Sequence, residues 1–148
     1  LWCAVPLQTL TRQVAAGKSG QDLYLDDDKL YSGWACRVFP GNDHRYRYIQ
    51  LHNGEIIWQI GYYANGQRDH DFRLRDGRSI GHERMWMADG KPYILYYYSE
   101  PGKMHGLQRR WHDNGVLAWE AWYEHGHEIS ARHFDRNGNL TNSGGGAP

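Results

Sequence analysis

Nine histidines and several closely spaced carboxylates are the residues of this 148-residue chain whose types carry chemistry. His125 and His127 flank Gly126, and Glu124 and Glu128 flank them in turn. On a strand, residues two apart share a face, so the two imidazoles could chelate a metal beside a carboxylate. Gly126 reads as a turn, which breaks that geometry, and a metal centre needs three or four converging ligands. The expectation is therefore no metal and no cofactor. His70, His82, His105 and His112 lie near turns and read as solvent-facing. Glu120 and Glu124 have the types of a glycosidase couple, but paired carboxylates on exposed strands are usually solvated. Asp22 and Asp26-Asp27-Asp28 lack the alternating ligands, central Gly and distal Glu of a Ca²⁺ loop and read as a turn. The chain has no nucleophile elbow, no phosphate-cradling Gly loop and no HExxH run, so no catalytic residue is expected and the protein is not read as an enzyme.

What must position any functional group is a repeat. The stretch from Leu107 to Tyr123, LQRRWHDNGVLAWEAWY, reads as two strands joined at Asn114-Gly115. Asn-Gly is a strong hairpin signal, and a type I′ turn with φ > 0 at both residues is expected there. An aromatic stands three residues before an Asn/Asp-Gly pair at Tyr62, Trp86, Trp111 and Phe134. The paired glycines, Gly66, Gly90, Gly115 and Gly138, are 24, 25 and 23 residues apart. A second series, Gly54, Gly77, Gly102 and Gly126, falls between them. A turn about every 12 residues leaves no room for crossovers, so successive strands must be antiparallel neighbours.

The expected fold is mainly β: repeated antiparallel hairpins forming an extended twisted sheet, with a short N-terminal helix over Pro6–Ala16. Leu7, Leu10 and Val14 sit at helical spacing there, with Pro6 at the start and Gly17 at the stop. The expected organisation is a cap over residues 1–40 holding that helix and a degenerate first unit, repeats over 41–140, and a disordered tail over 141–148. Arg45–Leu51 should turn Ile49 and Leu51 to one face. Tyr93–Tyr98 is apolar or aromatic on both faces and reads as a central strand.

Lysine plus arginine and aspartate plus glutamate balance at 17 each, which argues against nucleic acid as a partner. No apolar run approaches the roughly 20 residues of a membrane span. Membrane association is possible, not predicted. Cys3 and Cys36 could form one disulfide in an oxidising compartment or stand as two free thiols. The apolar start, LWCAVPL, reads as the tail of an export segment. The expected location is the periplasm, with the cytoplasm as the alternative.

The repeat resembles the MORN-repeat variant family of bacterial antitoxin-like proteins. Units of that family carry aromatic-x-x-Asn-Gly, a strand, a second Gly turn, and a further Gly four or five residues on. The runs from Gly81 through Trp86 to Asp89-Gly90 and from Gly106 through Trp111 to Asn114-Gly115 match most fully. Tyr62 to Gly66 and Phe134 to Gly138 match less, and the last unit has Ile129 or Ala131 where a leading Gly would stand. The resemblance covers Arg45 to Leu140. It implies a toxin-neutralising immunity protein that binds a secreted bacterial effector and occludes its active site. The alternative is an envelope-associated scaffold or lipid-binding repeat protein without catalysis. Trp, Tyr and Arg are the usual interface anchors, so the expected partner-binding residues are Arg84, Trp86, Tyr96, Arg109, Trp111, Trp119 and Trp122. Alternate positions face opposite ways, so about half of these must pack inward.

Overall fold

The Asn/Asp-Gly pairs of the repeat region all reverse the chain, and the strands between them pair with their sequence neighbours. The computed structural model describes residues 5–6, 9–13, 23–38 and 46–145. A twelve-stranded sheet holds β1 (Val5–Pro6), β5 (Gly33–Val38), β6 (Tyr46–His52), β7 (Glu55–Tyr62), β8 (Arg68–Arg75), β9 (Arg78–Trp86), β10 (Pro92–Glu100), β11 (Lys103–Met104), β12 (Gly106–Trp111), β13 (Leu117–Glu124), β14 (His127–Phe134) and β15 (Leu140–Gly145). From β5 to β15 the spatial order is the sequence order, with β11 pairing aside on β10. All of these pairings are antiparallel; β1 alone joins parallel, with Val5 opposite Ala35. A three-stranded sheet holds β2 (Thr11–Gln13), β3 (Leu23–Asp26) and β4 (Lys29–Leu30).

The N-terminal helix is not shown, and the described residues contain no α-helix. Inside the expected helix, Thr11–Gln13 is a strand whose backbone groups find partners on Leu23–Asp26. Tertiary pairing of this kind overrides a short helical spacing pattern. Residues 7, 8 and 14–16 of that helix lie outside the described residues. Asp27-Asp28 form the turn between β3 and β4, with φ 47° and 60°. The covering role expected of the helix falls to this small sheet and Leu10. Leu10, Ala35, Ile49 and Leu51 form the buried cluster, with Tyr24, Tyr31 and Ile56 packed against it. Tyr24 donates its backbone N–H to Gly54, and Gly54 donates to Tyr31, which ties the small sheet to the first hairpin. Ile49 and Leu51 share a face, as expected, and that face is the buried one, at 1% and 2% exposure.

The tail is not disordered from residue 141. Leu140–Gly145 pairs with β14, because an open β14 edge would leave a row of backbone donors and acceptors without partners. Residues 146–148 lie outside the described residues.

The two glycine series make two kinds of turn. Asn53-Gly54, Asp76-Gly77 and His125-Gly126 have φ > 0 at both residues, as a type I′ turn needs. The type I′ turn expected at Asn114-Gly115 is not formed: Gly115 is at φ 87°, while Asn114 is not among the positive-φ residues. Gly115 N–H donates to His112, and His112 N–H donates to Val116, enclosing a three-residue loop. This is a type I turn followed by a left-handed glycine. The loops at Gly66, Gly90 and Gly138 repeat it. Asn114 is held out of the left-handed region by its own side chain, which accepts from Val116 N–H and donates to the Arg136 carbonyl of the next loop.

β10 is half-buried from Ile94 to Ser99, on both faces. The sheet beyond the small cap is thus a single layer with two accessible faces, and any docking function must use one of them.

Candidate docking face

Directly opposite residues in paired strands share a face, so the register assigns each side chain. Asp71 pairs with Arg84, Arg84 with Leu95, Leu95 with Arg109, Arg109 with Glu120, and Glu120 with Arg132. This row runs along what we term the arginine face. The opposite, tyrosine face carries Phe72, Glu83 and Tyr96 in one row and Gln108, Ala121 and Ala131 in another.

The seven residues expected to bind a partner divide between the faces. Arg84, Trp86, Arg109, Trp111 and Trp122 lie on the arginine face. Tyr96 and Trp119 lie on the tyrosine face, packed edge to face with ring centroids 6.1 Å apart. Trp119 also packs on Tyr123 at 6.4 Å. Trp122 is 46% exposed, and its cross-strand neighbour Leu107 is 38% exposed, so the pair forms an apolar spot open to solvent. Trp86 and Trp111 are half-buried, and the Arg68 guanidinium lies 6.0 Å from the Trp86 ring.

The charges of the arginine face are partly neutralised from within. Glu120, 7% exposed, accepts from Arg109 Nε at 3.3 Å and from Arg132 Nη2. Asp71 accepts from Trp58 Nε1 at 2.7 Å on one oxygen and from Arg68 Nη1 at 3.0 Å on the other. Arg73 lies over the Trp58 ring, 4.7 Å from its centroid, and Trp58 packs in turn on Trp34 at 5.3 Å. Between these groups is a cleft of about 360 Å³ lined by Trp58, Asp71, Arg73, Gly81, His82 and Arg84. The register explains it. Phe72 pairs with Glu83 and Arg73 with Ile80, so Gly81 and His82 are two extra residues on β9. A bulge of this kind bends the strand and re-aims its side chains. Gly81 sits at φ 70°, and nothing approaches within 4 Å of where its Cβ would be. His82 leans on Tyr97, ring centroids 5.0 Å apart.

Several polar groups of the tyrosine face are engaged in internal hydrogen bonds. Gln108, fully buried, accepts from Tyr97 N–H at 2.8 Å and donates to the carbonyls of Tyr97, His105 and Gly106. It fills the place where β11 interrupts the β10–β12 ladder. Ser79 donates to Glu83 at 2.9 Å. Burial, reinforced by Glu83, raises the Tyr98 phenol above its ordinary value. Burial and the bond to Glu128 at 2.8 Å push Tyr123 up to about 12. Burial likewise raises Tyr96.

The histidines are less uniform than their spacing suggested. His70 is buried rather than solvent-facing, at 8% exposure, because Gly61 opposite it has no side chain and leaves room for its ring. His112 donates to the Phe134 carbonyl at 2.9 Å, joining successive loops. His125 stands in its turn, where φ is 48°, and His127 begins β14. Among the described residues no group of three His, Cys, Asp or Glu side chains could hold a metal ion. No helix among them is long and apolar enough to cross a membrane. Cys36 is disulfide-bonded, and the sequence has one other cysteine, Cys3, outside the described residues.

Sequence reasoning missed Trp58, Arg73, His82 and Leu107. A signal existed for the first two. They flank the Asn65-Gly66 turn nearly symmetrically, as cross-strand partners must. His82 is exposed, as its place near a turn suggested, but nothing in the spacing announces the two extra residues that bring it to the cleft.

No protein-family model matches the chain, and no curated protein matches it. Among solved structures, the crystal structure of TarM is similar over 93% of this chain and 19% of that chain, at 12% identity and a TM-score of 0.31. This chain therefore spans less than a fifth of TarM, and a likeness at that level bears on neither fold nor activity.

Proposed function

We propose that the protein is a toxin-neutralising immunity protein that acts by binding, not by catalysis, and that it uses the arginine face to cover the active site of a secreted bacterial effector. The observation that carries the docking part is the clustering of Arg84, Trp86, Arg109, Trp111 and Trp122 on one face of a single-layer sheet, with Leu107 and Trp122 open to solvent. Interface anchors are enriched in Trp and Arg and surround themselves with apolar contacts. The toxin-neutralising part comes from the likeness of the hairpin units to MORN-repeat variants. The Cys36 disulfide supports an oxidising location such as the periplasm.

Co-expression with the product of the adjacent gene is the test. The expected result is a stable complex and rescue of growth from that product's toxicity, with rescue lost in an Arg84→Ala/Trp122→Ala double variant and kept in Tyr96→Phe. No complex and no rescue overturn the proposal; rescue by the double variant moves the docking surface off the arginine face.

A further inference from the structure

We infer that the cleft between β7, β8 and β9 seats a carboxylate, presented as an Asp or Glu side chain by a protein partner. The inference deepens the docking proposal and rests on it. Three observations carry it. Two acids of the arginine face are already committed. Glu120 is held by Arg109 and Arg132, and both oxygens of Asp71 are held by Trp58 and Arg68. Arg84 stands directly opposite Asp71, is exposed, and makes no ion pair among the described residues. Arg73 is fixed by its ring contact with Trp58, which orders the guanidinium while leaving its in-plane N–H groups available. Two guanidinium forks therefore converge on one cleft. Arg–carboxylate pairs are frequently bidentate and are stronger than neutral hydrogen bonds.

Room for the acid comes from the bulge. Gly81 contributes no side chain, and the space beside it is open.

The same surroundings select a protein over a polyanion. Nucleic acid needs a run of unpaired cations along its backbone. Here Arg109 and Arg132, which would continue such a run, share the Glu120 carboxylate. Beyond His82 the face turns apolar, through Tyr97 to Leu107 and Trp122. An acidic side chain flanked by apolar residues complements that sequence of surfaces; a bare phosphate uses only the first part.

The test is a titration of the full chain, followed by NMR at the Trp58 indole N–H and the Arg84 Nε–H. The probes are a blocked peptide with two glutamates between leucines, its glutamine counterpart, and inorganic phosphate. The expected result is saturable shifts of both signals with the glutamate peptide and about tenfold weaker binding of the glutamine peptide. Arg73→Gln and Arg84→Gln should each weaken the glutamate peptide about tenfold, while Arg110→Gln on the opposite face should not. Equal binding of the two peptides, or unchanged binding by Arg84→Gln, overturns the inference. Phosphate that saturates the site below the peptide's concentration range also overturns it, in favour of a simple anion site. Failed rescue from toxicity with intact peptide binding removes the immunity reading alone; lost peptide binding with intact rescue removes the cleft alone.

Discussion

The arginine and tyrosine faces alternate residue by residue along the same strands, yet they satisfy their polar groups differently. On the tyrosine face, Gln108, Glu83 and Tyr123 each end on a partner within the chain. Its aromatics, Tyr96, Trp119 and Tyr123, pack on one another. On the arginine face the pattern stops short. Both oxygens of Glu120 and of Asp71 accept hydrogen bonds, while Arg73 and Arg84 have no acid partner among the described residues. Both faces carry aromatics, so aromatic content does not distinguish them. What distinguishes them is that the arginine face gathers, in one cleft, two cations without an acid partner among the described residues. The proposed docking on the arginine face rests on that difference.

The largest test of that contrast is Gln108→Leu. It leaves the Tyr97 N–H and three carbonyls without the side-chain partner they have now, at a cost of about 3 kcal/mol in a chemical denaturation. Leu107→Gln, one residue along and on the other face, should change stability by less than about 0.5 kcal/mol. Equal effects would erase the distinction between the faces. Gly61→Ala comes next. A Cβ there would stand 2.3 Å from the buried His70 ring, and the collision should destabilise by about 2 kcal/mol. Glu120→Gln probes the closed part of the arginine face. It weakens two ion pairs whose arginines are 41% and 61% exposed, so the loss should be about 1 kcal/mol and shrink in high salt.

Alkaline pH separates the faces without mutation. A phenol whose pKa is higher in the folded chain keeps its proton while the unfolded chain loses it. Stability is therefore whole below about pH 10 and falls as pH rises toward the folded value. For Tyr123 that window ends at about 12. Tyrosinate absorbance should show Tyr96, Tyr98 and Tyr123 ionising late, and Glu128→Gln should bring Tyr123 forward. An unchanged titration in Glu128→Gln would detach the tyrosine from its acid.

The strands were legible because each hairpin is local and each turn carries its own glycine. Arg68–Arg75 ends one residue before the Asp76-Gly77 turn of the second series, and Gly106–Trp111 ends at the aromatic three residues before Asn114. The faces were harder. An extra residue sits three places after each of Gly54, Gly66, Gly90, Gly115, Gly126 and Gly138, at Ile57, Asp69, Tyr93, Ala118, Ile129 and Thr141. Each bulge reverses the alternation. Leu117 and Trp119 are two apart but pair with Trp111 and Arg110, on opposite faces. Simple alternation assigns Trp119 and Leu117 together, and only the register separates them. The same holds for the turn at Asn114. Its dipeptide fits two loop lengths, and the backbone bonds that His112 makes with Gly115 and Val116 close the longer one. The helix over Pro6–Ala16 failed for a similar reason, since the partner strand at Leu23–Asp26 is outside the window that spacing reads.

The smallest effect on stability should come from Arg84→Gln, and for that reason it is the sharpest probe of the arginine face. Arg84 is exposed and has no acid partner among the described residues, so its loss leaves nothing buried and unpaired. The change in unfolding free energy should stay within about 0.5 kcal/mol. Arg109→Gln also removes one positive charge from the same face, but it breaks the bond to Glu120. If the face works through its total positive charge, the two variants should weaken partner binding equally, with the same salt dependence. If it works through the uncommitted guanidinium at the cleft, Arg84→Gln should weaken binding several-fold more than Arg109→Gln while unfolding at the higher denaturant concentration. Measuring affinity and stability on the same two variants therefore separates a charged surface from a site, because only a site makes the less stabilising residue the more important one for binding.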